Sequence, residues 1–139
     1  MRVSTILLCL LLCACAQQPP RDDGLYQQLG GEPGISRIVE GMLLRVATDS
    51  RIVAHFRDVD IQRVRDKLIE KFCAEAGGPC TYTGDSMEES HKGLAVTPAD
   101  FSALVENLQA SMTAEGVPIT TQNRLLSRLA PMRGQVIDK

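Results

Sequence analysis

Aromatic side chains are scarce in this sequence. Its 139 residues include no tryptophan, two tyrosines and three phenylalanines. The core of this protein must therefore be almost wholly aliphatic, and a large planar ligand would compensate for the missing aromatic rings. Basic residues are not in excess either, since the formal net charge is −2. Because a nucleic-acid-binding domain usually carries a basic patch or stripe, we expect no nucleic-acid partner.

The chain also lacks internal repeats and low-complexity blocks. Hydrophobic residues make up 44% of it, which is enough to build a core and argues against global disorder. The length fits one folded domain.

The first residues read as a targeting segment. Arg2 gives a positively charged start, and residues 6–12 form an apolar run. This run is too short to span a bilayer as a permanent helix, so we interpret it as a secretory signal. The expected organisation is a signal peptide at 1–14, a polar tether at 15–24 and a folded domain at 25–137.

The end of the signal resembles the lipobox of bacterial lipoproteins. It reads Leu12-Cys13-Ala14-Cys15, which implies cleavage before Cys15 and acylation of its thiol. An ordinary signal peptide, cut after Ala14 or Ala16, is the alternative. Since the residue after Cys15 is not Asp, the resemblance implies an anchor in the cell envelope that faces the periplasm, with the outer membrane as the expected destination.

Two cysteines remain in the expected mature domain. Cys73 and Cys80 lie seven residues apart, and an exported chain meets an oxidising compartment. We expect a disulfide, which would stabilise the fold by about 2.5 kcal/mol in the chain-entropy model. Two free thiols are the alternative. A zinc site is disfavoured because only His55 and His91 could complete it, and neither has the spacing of a zinc finger.

The rest of the chain predicts an all-α domain. No segment shows the sustained alternation of a strand. Asp60 and Thr97 are suited to cap two helices, and Pro131 is expected to kink the last one. A long irregular stretch is expected before His91. Four segments carry apolar residues at helical spacing, at about 33–48, 61–76, 97–116 and 120–136.

His91 is the residue around which a site would form. It follows a glycine-rich stretch, and the apolar faces of the helices at 33–48 and 61–76 are expected to meet across a short corner. Apolar walls opposite one imidazole are what a noncovalently held haem requires. The Cys-x-x-Cys-His motif is absent, which excludes covalent c-type attachment. Spacing alone does not separate such a pocket from an ordinary helical bundle.

Glycine and proline motifs recur along the chain. They are Leu25-Tyr26-x-x-Leu29-Gly30-Gly31, Gly77-Gly78-Pro79, Tyr82-Thr83-Gly84, His91-x-Gly93-Leu94, Thr97-x-x-x-Phe101, Gly116-Val117-Pro118 and Leu129-Ala130-Pro131. In order and in spacing, over about residues 25–136, they resemble those of the group I truncated haemoglobins. The resemblance implies a two-over-two helical sandwich that holds haem b.

By this resemblance His91 is the proximal ligand of the haem iron. The family often places Tyr and Gln on the opposite, distal side, where they donate hydrogen bonds to oxygen. Here the matching positions are apolar, and we expect weak oxygen retention. The other residues that the resemblance places against the haem are Met42, Leu43, Phe56, Val64, Lys67, Leu68 and Tyr82.

Lys67 and His55 each have two interpretations. Lys67 is expected to cover the haem edge with its stem while its ammonium meets a propionate. The alternative is a sixth iron ligand, which needs the neutral amine. His55 lies beside Phe56 and is expected to face solvent, although it could be mistaken for a distal ligand.

Three functions are compatible with these residues. The favoured one is a haem-b protein that reversibly binds oxygen or another diatomic gas, NO or CO. A second is a haem enzyme, an NO dioxygenase or a peroxidase-like protein, which would need an unknown external reductase because no flavin motif is present. A third is a haem-free helical lipoprotein that serves as a scaffold.

Overall fold

The computed structural model describes residues 24–139, which fold into helices without a strand. The expected signal, the lipidation site Cys15 and the tether up to residue 23 lie outside the described residues. Within residues 24–139 there are six α-helices, α1 (Leu25–Gln28), α2 (Gly31–Val46), α3 (Ile61–Glu75), α4 (Met87–His91), α5 (Pro98–Ala114) and α6 (Ile119–Leu129). Two 3₁₀ helices complete them, the first at Val53–Phe56 and the second at Ala130–Gln135.

The long helices pack as two layers. α2 lies against both α3 and α5, while α6 contacts α1, α3 and α5. The first 3₁₀ helix turns the chain between α2 and α3, and α4 packs on the second 3₁₀ helix. The predicted all-α fold is confirmed by this arrangement.

Local capping explains where the helices begin. The Asp60 carboxylate accepts a hydrogen bond from the Arg63 N–H at 3.0 Å, which satisfies one free donor at the start of α3. The Thr97 hydroxyl accepts from the Asp100 N–H, and the Asp100 carboxylate accepts in return from the Thr97 N–H. This reciprocal pair is a capping box, and it begins α5 at the predicted place.

The core is almost wholly aliphatic, as the composition requires. Leu25, Ile35, Ile38, Met112 and Leu125 are each 1% exposed or less. Helices α2 and α3 supply apolar stripes, and α5 and α6 cover them. Because these side chains leave water on folding, their burial is the main stabilising term.

α2 and α5 cross closely at Gly41. A Cβ at this position would lie 2.5 Å from the Ser111 hydroxyl oxygen on α5. That hydroxyl donates to the Ile38 carbonyl at 2.7 Å, and Ser111 is 1% exposed. Glycine therefore allows the two helices to approach until a buried hydroxyl bonds across the interface.

A disulfide joins Cys73 near the end of α3 to Cys80 in the loop that follows, with Cα atoms 5.8 Å apart. Cys73 is fully buried. Gly78 lies between the two cysteines, and a Cβ there would come within 2.7 Å of the Cys73 sulfur. The bridge therefore fixes the path by which the chain leaves α3.

Two elements differ from the sequence predictions. α4 is a helix of five residues where an irregular stretch was expected, and the Ser86 hydroxyl caps it by accepting from the Glu89 N–H. The last helix ends at Leu129 and continues as a 3₁₀ helix through Pro131 instead of only kinking there. None of the helices within residues 24–139 has the length and apolarity needed to cross a membrane.

Candidate functional site

A cavity of about 490 Å³ lies between the two layers of helices. Most of its walls are apolar, and they include Met42, Leu68, Phe72, Phe101 and Leu108. Its volume is within the range of ligand and cofactor sites, about 300–1,000 Å³. The cavity can therefore hold a large, flat, mostly apolar molecule.

His91 lines this cavity from the last position of α4. Its Nδ1 lies 2.7 Å from the carbonyl oxygen of Met87, one turn earlier in the same helix. A carbonyl oxygen only accepts, so Nδ1 must carry the proton and donate it. In the neutral ring Nε2 then keeps its lone pair. The bond from Nδ1 fixes the orientation of the ring, so this lone pair is available to ligate a metal ion.

Apolar side chains from α2 and α3 form another part of the cavity wall. Met42, Val64 and Leu68 line the cavity there. Leu43, which was expected beside them, packs against the core cluster and is not part of the cavity lining. Neighbouring residues on a helix point about 100° apart, and in this structure Met42 takes the direction toward the cavity while Leu43 points toward the core.

Lys67 lines the cavity with its ammonium held by two polar partners. Nζ donates to Glu70 Oε1 at 2.8 Å and lies 2.6 Å from the Thr83 hydroxyl oxygen. The Thr83 N–H and hydroxyl both donate to Glu70 Oε2, each at 2.9 Å. The hydrogen bond from Lys67, followed by those from Thr83, lowers the pKa of Glu70 to about 2. Glu70 therefore stays ionised across the neutral range and holds the ammonium in place.

Phe56 and Tyr82 line the cavity from two connecting segments. Phe56 ends the first 3₁₀ helix and packs against the small cluster of Val46, Ile52 and Ala103. The Tyr82 hydroxyl donates to the Asp85 carbonyl at 2.7 Å. Both rings are thus fixed by contacts outside the cavity.

His55 also belongs to the cavity wall, contrary to the prediction that it faces solvent. Its Nε2 lies 3.3 Å from Asp100 Oδ2, and the two side chains are 26% and 19% exposed. The carboxylate at the start of α5 faces the first 3₁₀ helix and draws the ring inward. The N–H and hydroxyl of Thr97, with a smaller share from His55, lower the pKa of Asp100.

Sequence reasoning did not anticipate this His55–Asp100 pair, nor the anchoring of Lys67. The first joins segments 45 residues apart, and no local pattern marks such a pairing. The second had a local signal, because Lys67 and Glu70 are three residues apart on one helix face, a spacing that favours ion pairs.

The residues around the cavity fit haem b. Apolar walls exclude water from a porphyrin, and His91 offers an axial nitrogen. When bound, haem b would supply an iron that can take a protein nitrogen and a diatomic gas as ligands. A bare metal ion is a poorer match, since residues 24–139 contain no cluster of three or more His, Cys, Asp and Glu side chains that could hold one.

Known proteins share this architecture. A model of the bacterial-like globin family matches residues 24–138. The group 1 truncated haemoglobin GlbN of Mycolicibacterium paratuberculosis is 31% identical over 112 residues, which cover 81% of this chain and 82% of that protein. GlbN of Nostoc commune is 30% identical over 115 residues, which cover 83% of this chain and 98% of that protein.

A solved structure agrees with these relatives. The Fe(III) form of truncated haemoglobin from Tetrahymena pyriformis superposes with a TM-score of 0.80 at 28% identity, covering 83% of this chain and 98% of that chain. Family, relatives and fold thus agree over nearly all of residues 24–139. The chain therefore belongs to the bacterial-like globin family, as a group I truncated haemoglobin, a class whose members hold haem b and bind diatomic gases.

Proposed function

We propose that His91 Nε2 ligates the iron of haem b and that a diatomic gas, oxygen in the first place, binds reversibly on the side of Met42, Val64 and Leu68. The proposal is based on the position and the hydrogen bond of the His91 ring. Its Nδ1 is committed to the Met87 carbonyl, and the ring lines an apolar cavity of porphyrin-compatible size. A neutral imidazole held in this way presents its second nitrogen with a minimum of reorganisation.

The absorption spectrum of the purified full chain tests this proposal. We expect a Soret band that is lost in His91→Ala, because the axial nitrogen is gone, and retained in His55→Ala, which removes the other imidazole of the cavity wall. A wild-type protein without a Soret band, or a band that both variants keep, would contradict the ligand assignment. The first outcome would favour the haem-free scaffold.

The distal wall is proposed to act without a hydrogen-bond donor. Met42, Val64 and Leu68 carry none, and the ammonium groups of Lys67 and Lys71, which also line the cavity from α3, are paired with Glu70 and Glu75. A donor in a dry pocket is worth about 1–3 kcal/mol to a partly charged acceptor. Its absence favours fast release of oxygen and makes little difference to CO, which accepts hydrogen bonds weakly.

Lys67 is proposed to serve the haem edge and not the iron. Its ammonium already contacts Glu70 and Thr83 at the cavity wall. To reach iron it would have to lose a proton and leave a carboxylate. We expect a high-spin ferric spectrum at neutral pH; a low-spin spectrum that disappears in Lys67→Ala would instead identify Lys67 as the sixth ligand.

The sequence of the first residues supports a proposal for the cellular location of the protein. We propose that lipid on Cys15 anchors the domain at the cell envelope, in the outer membrane and facing the periplasm. Incorporation of labelled palmitate into wild type and its loss in Cys15→Ala would support this, whereas equal labelling of both would contradict it. Sustained removal of NO would additionally require an external reductase as partner.

A further inference from the structure

The helix that carries His91 is too short to hold itself in place. α4 has five residues, and isolated helices of that length are unstable in water because nucleation costs more than so few hydrogen bonds return. Ser86 caps its beginning through the Glu89 N–H at 3.1 Å. The contacts that fix its other end, directly after His91, must therefore come from elsewhere in the fold.

The backbone after His91 leaves the helix through unusual conformations. Gly93 has a φ of +79°, and Ala95 has a φ of +52°, although a Cβ disfavours that region. A non-glycine residue persists there only when the surrounding structure compensates for the strain.

That compensation comes from residues 136–139, which we call the strap. The Gly93 N–H donates to the Lys139 carbonyl at 2.9 Å, and the Asp138 N–H donates to the Val96 carbonyl at 3.0 Å. The two bonds run in opposite senses and bracket the segment 93–96. Asp138 itself has a φ of +56°, so these two hydrogen bonds form although Asp138 adopts an unfavourable backbone conformation.

Side chains tie the strap to the cavity on the side of His91. Val136 is 7% exposed and Val96 is 8% exposed, and both line the cavity. The strap continues the second 3₁₀ helix, whose Arg133 guanidinium carbon lies 5.8 Å from the centre of the Phe101 ring on α5. One end of the strap is thus fixed to the cavity wall and the other to the chain that follows His91.

We propose that the strap is a positioning element for His91. It sets where α4 ends and restricts the motion of the imidazole relative to the cavity, without touching the iron. The inference rests on the proposed function insofar as His91 serves as the iron ligand. The hold on segment 93–96 requires only the backbone N–H of Asp138, the backbone carbonyl of Lys139 and the left-handed conformation of Asp138.

Two substitutions at one exposed position test the proposal in the full chain. Asp138→Pro removes the N–H and fixes φ near −65°, which is incompatible with the observed turn. Asp138→Gly keeps the N–H and accepts a positive φ readily, so it is the matched control. Both remove the same carboxylate, and they therefore differ only in what the backbone can do.

Amide hydrogen exchange and resonance Raman spectroscopy provide the readouts. We expect exchange at Gly93 to become faster on the order of tenfold in Asp138→Pro, with or without haem, because its acceptor is displaced. In the haem-bound ferrous protein the iron–histidine stretching band should shift or broaden in Asp138→Pro and match wild type in Asp138→Gly. A chain ending at residue 138, which lacks only Lys139, should reproduce the exchange effect if the proline variant folds poorly.

Three results would overturn the proposal. Unchanged Gly93 exchange in both Asp138→Pro and the shortened chain would show that the strap does not hold the segment. Faster exchange with an unaltered iron–histidine band would limit the strap to a structural role. Equal effects of Pro and Gly would assign the role to the Asp138 carboxylate. A wild-type protein that takes up no haem contradicts the proposed function, and the exchange comparison on haem-free chains still tests the hold on segment 93–96.

Discussion

At the scale of single residues, the cavity depends on which side chains can donate a hydrogen bond and where. The donors near it are mostly engaged. His91 Nδ1 is bonded to Met87, the Tyr82 hydroxyl to Asp85, and the Lys67 ammonium to Glu70. The part of the wall formed by Met42, Val64 and Leu68 presents only hydrocarbon and thioether groups, so gas retention should respond strongly to one donor introduced there.

Leu68→Gln introduces such a donor on that part of the wall. We expect oxygen release to slow by roughly ten- to a hundredfold, because a hydrogen bond of about 1–3 kcal/mol is added in a water-poor site. Stopped-flow displacement of oxygen measures the rate, and CO release should change far less.

Leu68→Met is the matched control for this change, since it keeps the volume and adds no donor. It should release oxygen at nearly the wild-type rate. If wild type already releases oxygen as slowly as Leu68→Gln, a donor outside this set of contacts faces the gas, and the apolar assignment is wrong.

Residue directions were the least predictable part of the site. Helical periodicity and the resemblance to the truncated haemoglobins placed His91, Met42 and Phe56 at the site, and the structure brings them to one cavity. Leu43 and His55 could not, because a rotation of one residue along a helix, or one carboxylate on a distant helix, decides which side chain turns inward. Those determinants lie in tertiary packing and leave no trace in local spacing.

At the scale of helices, boundaries were predictable wherever the signal is local. Asp60 and Thr97 begin α3 and α5 as their side-chain chemistry predicts. α4 was missed because five residues carry too little periodicity, and its existence depends on the Ser86 cap and on packing against the second 3₁₀ helix. Gly41 likewise could not be identified from local sequence, because its role depends on the close approach of α5.

Gly41→Ala tests the close crossing of α2 and α5. The new methyl group would meet the Ser111 hydroxyl at 2.5 Å and force it away from the Ile38 carbonyl. We expect a loss of about 1–3 kcal/mol in the free energy of unfolding, from overpacking and a disturbed buried hydrogen bond. Urea denaturation monitored by circular dichroism measures it.

The double variant Gly41→Ala/Ser111→Ala is the control for that mechanism. The Ser111 Cβ lies 3.6 Å from the position that the new methyl group would take, an ordinary contact distance, so removing the hydroxyl should restore much of the stability. The cycle then yields a coupling of opposite sign to the single losses. Strictly additive losses would contradict a direct clash between the two groups.

At the scale of the whole molecule, both helical layers contribute walls to one large cavity. Part of the apolar surface of the helices therefore lines a ligand site and is not buried against other side chains. Haem that binds only the folded state adds to stability by mass action. The disulfide supplies a second contribution that is independent of the cofactor.

Replacing both cysteines tests that second contribution. Cys73→Ala/Cys80→Ala should lower the free energy of unfolding by about 2.5 kcal/mol, since the unfolded chain regains the entropy that the closed loop removes. Guanidinium denaturation of the haem-bound protein measures the difference. Dithiothreitol should destabilise wild type by a similar amount and leave the double variant unaffected; equal sensitivity of both would contradict the assignment.

The pairing of Cys73 with Cys80 has a further consequence for refolding. With the signal cleaved and the Cys15 thiol acylated as proposed, Cys73 and Cys80 are the two thiols that can pair, so the denatured polypeptide has one possible intramolecular bridge. Shuffled isomers cannot accumulate, and recovery after heating should need neither a disulfide isomerase nor a glutathione redox buffer.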